Sequence, residues 1–497
     1  MLTAYTADRI RAAESTLMAG LPEGTLMERA ATGLAVICAR TLGRVYGSRV
    51  VLLVGGGDNG GDALYAGARL ASRGARVDAV LAGTRVHEAG LAALRRAGGR
   101  VTTPRAATQA GELIGAADLV VDGLAGIGGT GALREPYATL ARLTGDARGA
   151  VVAVDVPSGV DASSGRIEGA AVRADVTVTF GAYKIGLLVA PGSGNAGRVE
   201  LVDIGLGPHL PGPEATALTD DDVAAMLPRP DAASDKYSRG VVGIAAGSHR
   251  YTGAAVLAVG GAIRAGAGLV RYAGVAEPVD QVRARWPEAV ITSLRPGEGI
   301  EQVGRVQAWV LGPGLGTEPE SLAIARAVLA SDVPVLVDAD GLTLVARDRS
   351  LLRRTAPVLI TPHAGELSRL LDVPREQIEA RRLEHVRRAA SELGVTVLLK
   401  GSTTLVAGEG SPVRANLTGS PWLATGGTGD VLAGLAGALL AGGLSPYDAA
   451  SCAAHLHGIA GRHGPLAAWD VVEALSGVIA SIADRRREGG RPARLAR

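Results

Sequence analysis

Two short stretches concentrate residues able to do chemistry. The first runs from Gly426 to Asp430, GGTGD, inside NLTGSPWLATGGTGDVLAGLAGALLAGG. Glycine N–H groups at the mouth of a helix can cradle an anion, because the first turn leaves its donors unpaired and the dipole is positive there. An acid would repel a bound phosphate, so Asp430 either serves another reactant or simply caps the helix. The second stretch is GGGDNGGD, Gly55 to Asp62, directly after the apolar run VVLLV. It is neither the GxGxxG fingerprint with its ribose acid nor a P-loop, since no lysine follows the glycines. A tight strand–helix turn is its plain alternative.

Further oxygen donors follow other apolar runs. They are Asn59, Asp122 in VVDGLAGIGGTG and Ser158 in DVPSG. If those runs are parallel strands, the ends converge, and such oxygens suit a hard cation better than a soft one. Gly126 to Ala132, GIGGTGA, offers a second backbone cradle. Asp155 ends its run and Lys184 lies in FGAYKIGLL. A carboxylate and an ammonium placed there can exchange protons. Lys184 reads equally well as a surface lysine.

These groups need a scaffold that gathers strand ends. Apolar runs at 49–57, 76–83, 118–128, 149–159, 174–182 and 197–205 alternate with helical patterns, as in the segments after Asp62 and Arg85. That alternation predicts parallel strands covered on both faces, a Rossmann-like doubly wound sheet with ligands beyond the carboxyl ends of its strands. Residues 205–218 are rich in Pro and Gly and read as a linker. A second α/β alternation runs from 240 to 408 and ends in a helical region from Gly429 onward. Its spacings differ from those of the first half, so two unlike domains are expected, at 1–215 and 216–497.

The composition narrows the function. With 497 residues, two or three domains are expected. A net charge of +2 gives no reason to expect nucleic acid as a ligand. Cys38 and Cys452 lie far apart, which fits a reducing compartment rather than a disulfide framework. The start carries charges where a signal peptide would be apolar, and no apolar run reaches the roughly 20 residues of a membrane span. A cytoplasmic location follows as the expectation. The basic tail from Arg485 to Arg497 reads as a solvated end.

The set GGGDNGGDA, VDGLAGIGGTG, AVDVPSGVD and FGAYKIGLL resembles the YjeF N-terminal family, the NAD(P)H-hydrate epimerases, over about residues 1–208. The family pattern is nearer GxGNNGGDG; this chain has Asp58 and Ala63 in place of an Asn and a Gly. The resemblance implies potassium held by Asn59, Asp122 and Ser158. It implies hydrate contacts from Asp58, Asn59, Gly60, Gly61, Asp62, Gly126, Ile127, Gly128, Gly129, Thr130, Gly131, Ala132 and Asp155. From their residue types and positions, Asp155 and Lys184 are expected as the catalytic pair.

The second half carries GSHRYTGAAVLAVGGAIRAGAGLV, LGPGLGTEP, LVDADGLTLV, LITPHAGELSRLL, LLKGSTTLV, the Gly426 turn and AAHLHGIAG. In that order they resemble the ADP-dependent NAD(P)H-hydrate dehydratases, of ribokinase-like fold, over about residues 218–480. Thr343 stands where the family pattern usually has Asn. The resemblance implies hydrate contacts from Ala254, Gly316, His363 and Asp430, and nucleotide contacts from Lys400, Gly401, Ser402, Thr403, Thr404 and Gly429. Magnesium is expected with ADP, and Asp430 is expected to be the base.

The expected partners are the small molecules NADHX, NADPHX and ADP, with neither nucleic acid nor membrane, in a homo-oligomer. A ribokinase-like vitamin kinase and a nucleotide-binding protein without chemistry are the competing readings. The full series of second-half motifs argues against the kinase. Asp155 and Lys184 argue against the pure binder.

Overall fold

The computed structural model describes residues 1–83, 85–103, 107–295 and 298–489. The expectation for the basic tail falls on side chains outside the described residues. The chain forms two compact units, Thr3–Ala215 and Thr216–Arg497, the latter together with Met1–Leu2.

In the first unit the strands run, across the sheet, Arg100–Thr102, Arg76–Leu81, Arg49–Val54, Leu119–Gly123, Ala150–Val154, Val176–Phe180 and Arg198–Val202. Every pairing among them is parallel. The chain starts in the middle, winds out to one edge, then returns and winds to the other. That is the doubly wound order, and its switch point lies between Arg49–Val54 and Leu119–Gly123. Val50 to Val54 are all buried, as expected for a strand covered on both faces. Helix Asp58–Ser72 covers one face, with Gly67 seated against Leu52.

The helix starts earlier than its apolar pattern suggests. Asp58 to Asp62 form its first turn instead of a separate loop. An acid is favoured there by the helix dipole, which lets the polar residues join the helix.

The second unit repeats the winding with other lengths. Its sheet runs Val290–Ser293, Leu269–Gly274, Val241–Ala245, Ala308–Leu311, Val335–Val337, Val358–Ile360 and Thr396–Leu399, all parallel. Two antiparallel strands follow, Thr404–Ala407 and Val413–Asn416. The run 396–408, which reads as a single apolar segment, is therefore a hairpin with Lys400–Thr403 at its tip. The helical region after Gly429 resolves into Thr428–Ala441, Pro446–Ala460 and Ala468–Gly489.

Helix Thr428–Ala441 is buried along most of its length. It crosses helix Thr252–Arg264 at glycines. A Cβ at Gly434 would lie 1.9 Å from the Ala258 carbonyl oxygen, and one at Gly261 would lie 2.4 Å from that of Val431. This packing fixes the start of the helix, where Asp430 stands. The 205–218 segment reads as a linker, yet its end forms a short strand, Ala215–Ala217. Cys38 and Cys452 are buried and free. Among the described residues, no helix is long and apolar enough to cross a membrane.

Candidate active sites

In the first unit the switch point gathers the polar residues. Strand Leu119–Gly123 delivers Asp122, fully buried, whose carboxylate accepts bonds from Ser158 N at 2.8 Å, Ser158 Oγ at 2.6 Å and Leu124 N at 3.2 Å. Burial pushes its pKa up to about 6 against the pull of those bonds. The Nδ2 of Asn59 donates to the Val154 carbonyl at 2.6 Å. Its Oδ1 lies over Gly126, where a Cβ would come within 2.4 Å. Gly126 is thus required by close approach. Asp122 and Ser158 are in direct contact, and Asn59 joins them at the same sheet edge. This set is all oxygen with one formal charge, which fits a hard monovalent cation.

Asp155 follows strand Ala150–Val154 with φ at 66°, a left-handed conformation rare outside glycine. Its carboxylate meets the Lys184 ammonium directly, and both are buried. Lys184 also donates to Thr179 Oγ1 at 3.0 Å and the Phe180 carbonyl at 2.9 Å. It is therefore not a surface lysine. Asp62 is buried, with Oδ1 lacking a hydrogen-bond partner. Burial, then Asp155, Asp58 and Glu14, hold its pKa well above the usual carboxylate range. Burial also raises Glu14. Gly126 and Gly128 to Ala132 line a cavity of about 330 Å³, together with Arg134, Tyr137 and Arg166. Ile127 accepts a bond from Arg11 through its carbonyl at 2.7 Å.

In the second unit Gly427 precedes helix Thr428–Ala441 with φ at 90°, a turn that glycine alone makes without strain. Asp430 sits in the first turn. Burial, followed by Asp338, pushes its pKa up to about 7, against the pull of Lys400. Lys400 donates to Asp338 at 2.7 Å and lies 3.9 Å from Glu366. Burial alone would lower its pKa, but Asp338 and Glu366 raise it.

His363 caps helix Ala364–Leu371, its Nδ1 accepting from Gly365 N at 3.0 Å and Glu366 N at 3.2 Å. Its side chain is 55% exposed, with Nε2 3.6 Å from a Glu366 carboxylate oxygen. Gly316 donates to Asp340 at 2.9 Å and lines a cavity of about 620 Å³ with Ser248, Tyr251 and Asp340. Ala254 borders the same loop, 2.7 Å from where a Cβ at Gly314 would lie. Gly401 and Ser402 are exposed at the hairpin tip, Thr403 is buried and Thr404 half-buried. Among the described residues, no group of three or more His, Cys, Asp or Glu side chains is arranged to hold a metal ion.

The sequence reading passed over four of these groups. Asp338 and Glu366 flank Lys400, and Glu14 faces Lys184. Arg382 is buried beneath the hairpin, donating to the carbonyls of Leu399, Lys400 and Thr403 at 3.3, 2.9 and 3.3 Å. Two signals were available. Asp338 ends an apolar strand on the edge where ligands gather. Arg382 lies in register with the buried stripe Val386, Ala389 and Ala390.

Both halves of the chain are similar to known proteins. A family model described as YjeF-related protein N-terminus matches residues 23–186, and one described as NAD(P)H-hydrate dehydratase matches 242–479. The chain is 48% identical over 453 residues to the bifunctional NAD(P)H-hydrate repair enzyme of Mycobacterium tuberculosis, covering 90% of this chain and 91% of that one. The Mycobacterium leprae enzyme of the same description is 48% identical over 460 residues, covering 91% and 92%. Among solved structures, the ADP/ATP-dependent NAD(P)H-hydrate dehydratase from Bacillus subtilis, co-crystallised with ATP and Mg2+, is 29% identical. It covers 54% of this chain and 98% of that one, with a TM-score of 0.47. The chain belongs to the bifunctional NAD(P)H-hydrate repair enzymes, with an epimerase domain followed by a dehydratase domain.

Proposed function

We propose that the first unit interconverts the R and S forms of hydrated NADH and NADPH, and that the second dehydrates the S form at the expense of ADP, giving AMP and phosphate. One observation supports the second half most strongly. A carboxylate with pKa about 7, Asp430, stands in the first turn of a glycine-rich helix start, with the Lys400 ammonium beside Gly429 of the same turn. A base poised near neutrality beside an anion cradle suits phosphoryl transfer to a hydroxyl.

Hydroxide is a poor leaving group, so the ring hydroxyl must first be converted to a better one. Asp430 takes the hydroxyl proton as that oxygen bonds to the β-phosphorus of ADP, and the bond to the AMP oxygen breaks. The amides of Gly426 to Gly429 and the Lys400 ammonium offset the charge on the moving group. Phosphate then leaves the ring carbon with its bonding electrons, the neighbouring carbon loses a proton, and the ring double bond returns. Lys400 to Thr404 hold the nucleotide, while Ala254, Gly316 and His363 hold the hydrate. Magnesium bound to the nucleotide phosphates would supply further charge neutralisation and needs few protein carboxylates.

In the first unit Lys184 and Asp155 hold and move a proton at the hydrated ring. Asp58 to Asp62 and Gly126 to Ala132 position the nucleotide. Asn59, Asp122 and Ser158 would hold potassium, whose charge would favour an anionic ligand.

The test uses the pure S hydrate and ADP. One AMP and one phosphate should form per nicotinamide restored. Since Asp430 must be ionised to act, kcat/KM should climb with pH and level off above about 7. An inflection near the ordinary carboxylate value of 3.8 would contradict the raised pKa, and an inflection that persists in Asp430→Asn would remove Asp430 from the role of base.

A further inference from the structure

The motif AAHLHGIAG carries two histidines that the proposed reaction leaves without a task. His455 lies 2.8 Å from Asp220, a link between two helices of the second unit. His457 is placed differently. It lies on helix Pro446–Ala460, is 7% exposed, and its Nε2 is 2.9 Å from the backbone carbonyl of Thr428. Burial pushes its pKa down to about 4, so near neutrality the ring is uncharged. The acceptor it faces then assigns the proton to Nε2.

The geometry gives that bond a consequence. A peptide unit is planar and trans, so the Thr428 carbonyl and the Gly429 N–H point in opposite directions. Fixing the carbonyl fixes the aim of the amide. The Thr428 hydroxyl is also anchored, its single proton lying between the carbonyls of Leu423 at 2.8 Å and Thr425 at 2.9 Å. Gly429 lies beside Lys400, whose Nζ is 3.6 Å from where a Cβ would stand.

We propose that His457 is a positioning residue for phosphoryl transfer: its Nε2–H locks the Thr428–Gly429 peptide so that the Gly429 amide faces the transferring group. The inference rests on the reading of the Gly426–Asp430 turn as the phosphoryl site.

The test compares His457→Gln, His457→Asn and His457→Leu in the full chain with the S hydrate and ADP. The Gln amide nitrogen reaches about as far as Nε2, the Asn nitrogen stops short of the carbonyl, and Leu has no donor. In the Asn and Leu variants kcat should fall roughly 10- to 100-fold, with Gln within about threefold of the parent and nucleotide KM changed less than about threefold throughout. An equal loss in all three, a loss carried by nucleotide KM, or full activity in Asn would overturn the proposal. If the Leu variant does not fold, the Gln and Asn pair decides. Asp430→Asn, measured in parallel, separates the two readings. An active Asp430→Asn enzyme sinks the assignment of the turn itself. An inactive one beside a fully active His457→Asn sinks only the positioning role.

Discussion

Asp430→Asn lowers the rate of S-hydrate dehydration by about 10²–10⁴-fold, the usual contribution of a general base. Asn keeps the shape of the carboxylate but cannot take the hydroxyl proton. Epimer exchange, carried by the other unit, continues at the parent rate. The substitution also changes stability, and the sign follows from linkage. Between pH 3.8 and about 7 the folded protein holds a proton on Asp430 that the unfolded chain has released. Stability is therefore lost as pH rises through that window. A neutral Asn escapes the loss, so at pH 8 the variant is more stable by about 1–2 kcal/mol, after allowance for water in the cleft. Thermal unfolding at pH 5 and pH 8 checks this. An Asp430→Asn enzyme less stable than its parent at pH 8 would contradict the burial argument. Loss of both activities in a folded variant would contradict the division of labour.

Lys184→Met removes the ammonium from the epimerase site, and R-to-S exchange falls about 10²–10⁴-fold. Dehydration of the pure S form is unchanged. The variant leaves the Asp155 carboxylate buried without its partner, a loss of about 3–5 kcal/mol in comparable pairs. Stability and catalysis are separated by the double variant Asp155→Asn with Lys184→Met, in which neither member of the pair is charged. It regains much of the lost stability and none of the exchange activity. If the double variant recovers exchange, the Asp155–Lys184 pair is structural. Proton NMR of the two epimers reads the exchange directly.

Where the polar residues gather was partly legible because strand ends and glycine turns are local signals. The runs ending at Val54, Gly123 and Val154 pointed to one sheet edge, and Asn59, Asp122 and Ser158 meet there. Asp155 and Lys184 were readable as residue types, but their contact depends on the left-handed turn at Asp155, which no residue pattern announces. Long-range partners were harder. Lys400 and Asp338 are 62 residues apart and meet only because their strands share the sheet. Arg382 sits in the charged run RRLEHVRR, where a solvated helix face is the ordinary reading. Its inward aim is set by the hairpin carbonyls above it. That hairpin is marked in the sequence only by the Gly-Ser of Lys400–Thr403 between two four-residue apolar runs, short enough to be taken together as one.

The most direct test of the whole account is a single time course. The full-length protein is mixed with R and S hydrates of NADH and an excess of ADP, and the absorbance of the restored nicotinamide is followed to its end. The account predicts complete recovery of the hydrate supplied, R and S alike, with matching AMP and phosphate. Recovery that stops at the S share would contradict the epimerase assignment. No recovery with ADP, together with ATP-dependent phosphorylation of a vitamin alcohol, would contradict the account as a whole.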